Sequence, residues 1–424
     1  MENNNFGMNN GFAPEPQNGE DNNGAAFNVG AYDDFFTGDN TLDMPVNDMD
    51  NQFVNPVPPA PVKKKNKTLL AIIIGAVAVL LAIVLVFVIK GCSSGNEEPY
   101  TLFNSGLAVA CEDGKYGYIN EDGEVVINYE FDTANAFAAN GLALVGVENS
   151  DDKWEYGFIN EDGEYVITPQ FDYAYDFTEN GLAVACEDGK YGYINEDGEW
   201  AIEPQFDDAS SFHDGYALVG EKKDEESYGY KYGYINEDGE VVIDYQYDNA
   251  GYFYNGLAAV KDDDEWGFIN KDGEWVIDAK YDNVRNFAAN GLAAVREDEE
   301  CGFINEDGEY VIDLHFDNVY DFADNGLAAA KDGDKWGFIN EDGEWEIEPK
   351  FDYILSSFQD GKAIVERNDK CYIIDENGEE TRINGVDDIT VYDDYIVFED
   401  DDKCGIMDWE GNIVINAKFD YIGR

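Results

Sequence analysis

The sequence predicts an all-β protein. About nine tandem β-meander repeats form a propeller-like ring or an open β-solenoid, preceded by a disordered tail and one transmembrane helix. Three observations carry this. From Gly106 to the C-terminus one pattern recurs nine times, and self-similarity at a fixed period marks a repeat architecture. Each copy places a turn glycine six residues after an aromatic-glycine pair or its replacement. Leu69 to Ile89 forms 21 uncharged, almost wholly aliphatic residues.

Residues 1–62 are rich in Asn, Gly, Asp and Pro and contain no Lys or Arg. Such a composition buries too little apolar surface to offset its ordering entropy. A disordered acidic cytoplasmic tail is expected, ending in the stiff stretch Pro56-Val57-Pro58-Pro59-Ala60-Pro61. Residues 63–90 are expected to be the transmembrane helix with its basic flank, since about 20 apolar residues span a bilayer. A cleavable leader does not fit, because 62 residues precede the basic flank. Lys63, Lys64, Lys65 and Lys67 precede the span and only Lys90 follows it. The positive-inside rule then predicts a single-pass plasma-membrane protein, N-terminus cytoplasmic and repeats extracellular. Residues 91–99 are a short linker to the β-repeat domain, 100–424.

One copy reads as a β-meander. Gly141-Leu142-Ala143-Leu144-Val145 is a first strand, Tyr156-Gly157-Phe158-Ile159 a second and Tyr165-Val166-Ile167 a third. Asn160-Glu161-Asp162-Gly163-Glu164 joins the last two, and an acidic or amide residue before Gly between β-formers signals a hairpin. The spacing suits a type I turn with its Gly left-handed and bulged. Glycine mid-strand, as at Gly157, requires a close neighbour; an aromatic ring from an adjacent copy is the expected one. At the termini, Tyr100-Thr101-Leu102-Phe103 supplies the end of a repeat and Lys418-Phe419-Asp420-Tyr421-Ile422 its beginning. That split favours ring closure, whereas nine copies are many for a ring of four to eight blades, so ring and solenoid both stand.

The recurring Lys335-Trp336-Gly337-Phe338-Ile339-Asn340, Gly343, Phe351-Asp352, Phe358 and Gly326-Leu327-Ala328 resemble the WG-repeat family of bacterial proteins. The resemblance covers about residues 100–424. It implies a β-rich repeat domain and no settled activity. Copies eight and nine depart from it: in copy eight Tyr372 replaces the glycine and Asp394 stands about where the glycine before Leu-Ala belongs, and the last copy stops at Phe419-Asp420-Tyr421-Ile422.

The formal net charge of −66 excludes nucleic acid as a partner, since such binding needs cationic surface. Asn340, Asp342 and Glu344 put oxygen ligands on one turn, but calcium needs six to eight, so calcium is a secondary expectation and no cofactor is assigned. Cys301, Cys371 and Cys404 stand where other copies have Trp, and are expected to be small buried apolar residues. His213 and His315 read as incidental loop residues. No phosphate loop, dinucleotide fingerprint or nucleophile elbow occurs, and the expectation is no catalysis. Copies two and four carry insertions, Gly146–Glu155 and Gly220–Lys231. Insertions in repeat arrays gather on one face, often the binding face. Asp151, Asp152, Lys153, Trp154, Lys222, Lys223, Tyr228 and Tyr230 are therefore the candidate binding residues. The expected function is a membrane-anchored module binding a surface protein or cell-wall glycan. The alternative is a sensor or scaffold coupling the repeats to a cytoplasmic partner of the tail.

Overall fold

The structure is a computed structural model that describes residues 101–424 except 151–152, 224–228 and 387. The expected tail, transmembrane helix and linker lie outside the described residues, as do Asp151, Asp152 and Tyr228. Among the described residues no helix is long and apolar enough to cross a membrane.

The second blade shows how one unit is built. Its strands are Thr133–Phe137, Leu142–Glu148, Trp154–Asn160 and Tyr165–Phe171, paired in that order. Between the third and fourth, Gly163 N donates to Asn160 O at 2.9 Å and Gly163 takes φ +79. The Asn160 Oδ1 accepts from Asp162 N at 3.1 Å and Glu164 N at 2.9 Å, so the asparagine locks the turn from inside. The turn glycine serves the next contact too: a Cβ on Gly163 would lie 3.1 Å from Ile127 of the preceding blade.

The mid-strand glycine has a different neighbour from the one expected. The pairing steps from Phe158↔Ile167 to Tyr156↔Phe171, so the fourth strand bulges opposite Gly157. A Cβ there would sit 2.5 Å from Ile167 O and 2.6 Å from Pro169 N. The glycine is therefore needed by the backbone of the next strand in its own blade, not by a ring from an adjacent copy. Where a ring also approaches, as Trp275 does at 2.8 Å from a Cβ placed on Gly267, it belongs to the same copy.

Blade eight is the natural control. Tyr372 replaces the glycine, and Tyr372↔Arg382, Ile373↔Thr381 and Ile374↔Glu380 pair with no bulge. Its fourth strand shrinks to the three residues Glu380–Arg382, against seven in Tyr165–Phe171. The shortened strand leaves a cavity of about 160 Å³ toward blade nine, lined in part by Ile373, Ile383, Phe398 and Met407. A Cβ on the turn glycine of that seam, Gly411, would correspondingly lie 4.0 Å from Ile373, whereas one on Gly198 would lie 3.0 Å from Ile167.

Each copy contributes four strands, not three. After each Phe-Asp a segment as short as Tyr173–Ala174 pairs with the next copy's Leu-Ala strand, through Tyr173↔Cys186 and Ala174↔Ala185. Every blade thus begins where the preceding repeat ends. The last such segment is Tyr421–Gly423. It pairs with Ala108–Glu112 of the first copy through Ala110↔Ile422 and Cys111↔Tyr421. Leu102 and Ile422 are buried together in the core between blades nine and one, and Asp394 accepts from Leu102 N at 2.8 Å and Phe103 N at 3.4 Å. Nine four-stranded sheets and nine seam cores make a closed nine-bladed propeller, and the open solenoid is set aside.

Outside the cores, side chains tie several of the turns to the neighbouring blade. Asn140 Nδ2 donates to Glu196 at 3.1 Å, Asn180 to Glu237 at 3.2 Å, Asn290 to Glu341 at 3.1 Å and Asn325 to Glu376 at 3.2 Å. Between blades four and five the pair is inverted into a 2.7 Å ion pair, Lys271 with Asp214. The lysine in the fifth copy's turn is therefore a seam contact.

Gly157→Ala is expected to cost about 3 kcal/mol, because rigid backbone must move. Gly189→Ala, at φ +74 with nothing within 4 Å, is expected to cost only about 1 kcal/mol of conformational strain. Thermal unfolding of the two variants checks this; equal losses would contradict the backbone-contact account.

Candidate functional site

The two insertions occupy one position in the blade, the hairpin joining the second and third strands. In blade two it joins Leu142–Glu148 to Trp154–Asn160, and in blade four Tyr216–Lys222 to Tyr230–Asn236. They flank blade three, whose equivalent hairpin turns tightly through Asp188 and Gly189, both at positive φ.

The described candidates take distinct roles. Lys153 closes its loop, with Lys153 N donating to Asn149 Oδ1 at 3.2 Å and Lys153 O accepting from Asn149 N at 2.8 Å. Trp154 is 38% exposed and stacks on Tyr156 at 6.3 Å and 25°. Lys222 pairs across the hairpin with Tyr230. Lys223 and Lys231 share the carboxylate of Asp248 at 2.7 and 2.9 Å, so the second lysine of the insertion is neutralised at the site.

Further aromatic residues continue from Trp154, and these the sequence reading did not select. Tyr156 meets Tyr173 edge-on at 5.3 Å, and Tyr173 meets Tyr175 at 5.1 Å. On blade four Tyr230 lies 6.0 Å from Tyr232. Tyr191, half-buried on the intervening blade, has its phenol pushed up to about 12, by burial first and then by Cys186 and Asp208. A sequence signal for this arrangement exists. At the strand position that holds Cys111, Cys186, Lys261, Arg296 or Lys331 elsewhere, only the two insertion-bearing copies have glycine, Gly146 and Gly220. A Cβ on Gly146 would lie 3.0 Å from the Tyr156 ring, and one on Gly220 3.2 Å from Tyr232 and 3.3 Å from Tyr230. The bare backbone is where the rings lie.

The aspartate after the Phe that ends the fourth strand of the preceding blade holds these hairpins in place. Asp132 accepts from Glu148 N at 3.0 Å and from Lys115, and Asp172 accepts from Asp188 N at 2.8 Å. Asp207 accepts from Lys222 N at 3.1 Å and from Lys190 at 2.6 Å. Each carboxylate thus fastens the hairpin of one blade to the end of the blade before it.

The remaining candidates are structural. Cys301 is buried, as expected, but Cys371 and Cys404 are only partly buried. Burial pushes the Cys301 thiol up to about 12 and Cys371 up to about 11, which keeps both protonated and unreactive at neutral pH. His315 lies within the strand Tyr310–Phe316 and not in a loop. His213 has Nδ1 3.2 Å from Phe253 O between the rings of Tyr252 and Tyr254, and burial lowers its pKa. The Asn340 oxygen proposed for calcium accepts from Asp342 N at 3.1 Å and Glu344 N at 3.0 Å. Among the described residues no group of three His, Cys, Asp or Glu is placed to hold a metal ion.

The staples have a pH signature. The Lys335 ammonium and then the Asn368 amide hold Asp352 below the usual carboxylate range; Lys403 and then the Asp113 amide do the same for Asp420. A carboxylate with a depressed folded pKa stabilises the fold above its unfolded pKa, and that contribution is lost as pH falls through the folded pKa. The gap in melting temperature between wild type and Asp352→Asn or Asp420→Asn is therefore expected at neutral pH and should close below about pH 4. A gap independent of pH would contradict the staple.

The WG containing repeat model matches residues 116–154, 156–191, 191–222, 232–266, 266–301, 302–336 and 336–371. No curated protein matches the chain. Solved structures with a similar arrangement include a eukaryotic initiation factor, with TM-score 0.43, 8% identity and coverage of 78% of this chain and 91% of that one. Dipeptidyl peptidase 4 of Porphyromonas gingivalis has TM-score 0.43 and 8% identity, over 76% of this chain and 59% of that one. Kluyveromyces lactis Hsv2p has TM-score 0.34 and 9% identity, over 55% and 91%. With seven matches that together cover more than half of its length, the chain belongs to the WG containing repeat family.

Proposed function

We propose that this protein is a single-pass, membrane-anchored interaction module of a bacterial surface. The propeller faces outward, the acidic N-terminal tail lies in the cytoplasm, and the protein carries out no catalysis. Its partner is a surface protein or a cell-wall glycan. The observation that supports this most is the placement of the two long hairpins. Both stand at one position of blades two and four and are fastened by Asp132 and Asp207, and the first presents the exposed Trp154. A closed ring of nine similar sheets is a rigid frame for such a face. The span Leu69–Ile89 with its one-sided lysines supports the anchoring and orientation, and the net charge of −66 suits a soluble, anion-repelling exterior.

Intact cells displaying the full chain are expected to capture a ligand equally well with and without residues 1–62, read by flow cytometry with labelled surface extracts. Protease added outside should remove the repeats and spare the tail. Loss of the phenotype on tail deletion alone would replace this reading with the sensor or scaffold. Protection of the repeats from external protease would overturn the orientation.

A further inference from the structure

Eight of the nine seams are closed in the same way. The side chain nearest to a Cβ placed on the turn glycine is an isoleucine from the fourth strand of the preceding blade, at 3.0 to 3.5 Å. Gly343 meets Ile312 in this way, and Gly378 meets Ile347. Both isoleucines are buried in their seam cores. The seam between blades eight and nine lacks that side chain. The fourth strand of blade eight is Glu380–Arg382 and holds no isoleucine, and a Cβ on Gly411 would meet only Ile373 of the third strand, at 4.0 Å. Ile383, the next residue along the chain, is tied by its N–H to Cys371 O at 3.0 Å. Gly411, Ile373 and Ile383 all line the cavity of about 160 Å³ at this seam, so it lies where the other seams hold an isoleucine.

Ile373, Ile383, Phe398 and Met407 give the cavity apolar walls. It opens outward past Ile413, which is 58% exposed, against 45% for Tyr165 and 43% for Val241 at the same place in other blades. An apolar cavity of this size accepts a group as large as a benzene ring. Two charged residues stand at its rim, Glu410 and Arg382. Glu410 is engaged by Lys362 Nζ at 2.7 Å. Arg382 is exposed, and among the described residues no ion pair includes it. In a chain of 92 acidic and 26 basic residues, that guanidinium is open to a carboxylate from outside, which it can grip in a bidentate pair.

We infer that this seam is a docking site for an extended segment of a partner protein, which inserts one aliphatic side chain into the cavity and sets a neighbouring acidic residue against Arg382. The ring itself supplies the template for that occupant. In blade seven Ile347 fills the adjoining seam from an extended strand, with Glu346 and Glu348 on either side of it in the chain. The eight seam isoleucines of this chain are only 2% to 5% exposed, so they are committed to their own seams and the incoming side chain belongs to another protein. The site lies away from the two long hairpins, and it stands or falls independently of them and of the orientation across a membrane.

The test is fluorescence polarisation of a labelled peptide with the sequence of Trp345–Phe351, titrated with the full-length chain in detergent micelles. Saturable binding is expected. Ile347→Ser in the peptide should weaken it at least about tenfold, the effect of withholding one buried aliphatic side chain. On the protein, Val386→Trp, which fills the cavity from its wall, should abolish binding. Arg382→Glu should weaken it about tenfold and remove its dependence on salt. Trp154→Ala, at the hairpins, should bind as the wild type does. Melting temperatures are measured alongside, and Arg382→Glu, at an exposed position, decides the matter if Val386→Trp does not fold. No saturable binding overturns the inference, as does binding indifferent to Ile347→Ser or to Arg382→Glu. Self-association of the chain that Val386→Trp or Arg382→Glu removes would make a second copy the occupant and overturn it too.

Discussion

Three residues at the C-terminus decide the shape of everything before them. Tyr421–Gly423 is the first strand of the blade whose other strands were made from the opposite end of the domain. Until it pairs with Ala108–Glu112, the first copy lacks a strand and the last segment lacks a partner. Both ends would expose unpaired backbone and one side of an apolar seam. After it pairs, every described blade has two neighbours, and the seam between blades nine and one is built like the rest, with Leu102, Ile406 and Ile422 in its core. Repeat arrays draw their stability from neighbour interfaces, and closure supplies the one interface an open array lacks.

Within that constraint the units stay alike because two glycines leave little choice. The turn glycine meets an isoleucine of the preceding blade, and the mid-strand glycine meets the bulged backbone of its own. Blade eight shows the consequence of relaxing one of them. Tyr372 forbids the bulge, the strand straightens and shortens, and a cavity opens at the next seam. The acidic turns look functionally loaded in the sequence. Most of their side chains are exposed, yet one glutamate in many of them closes a seam through an asparagine of the adjacent blade. Where the fifth copy substitutes Lys271, the partner becomes Asp214.

The repeat, the hairpin turn and the two insertions were legible in the sequence because each depends on local spacing. The fourth strand was not. Tyr173–Ala174 is two residues long, with no alternation to read, and exists only because the next copy offers it a partner. The neighbour of Gly157 was misassigned for a related reason: a bulge is a property of two paired strands, and neither one shows it alone. The candidate site was half visible. Lys153, Trp154, Lys222, Lys223 and Tyr230 lie at the hairpins, as insertion lengths suggested. Tyr156, Tyr173 and Tyr175 join Trp154 through ring contacts that cross from blade two to blade three, and resembled ordinary core positions when read singly.

Hydrogen exchange at the closing strand is the most direct test of the ring. In the closed propeller the amides of residues 108–112 are covered by Tyr421–Gly423, as those of residues 182–187 are covered by Tyr173–Ala174. Mass-spectrometric exchange of the two peptides should therefore show comparable protection. Rapid exchange of 108–112, at the rate of an uncovered edge strand while 182–187 stays protected, would contradict closure and return the chain to an open array.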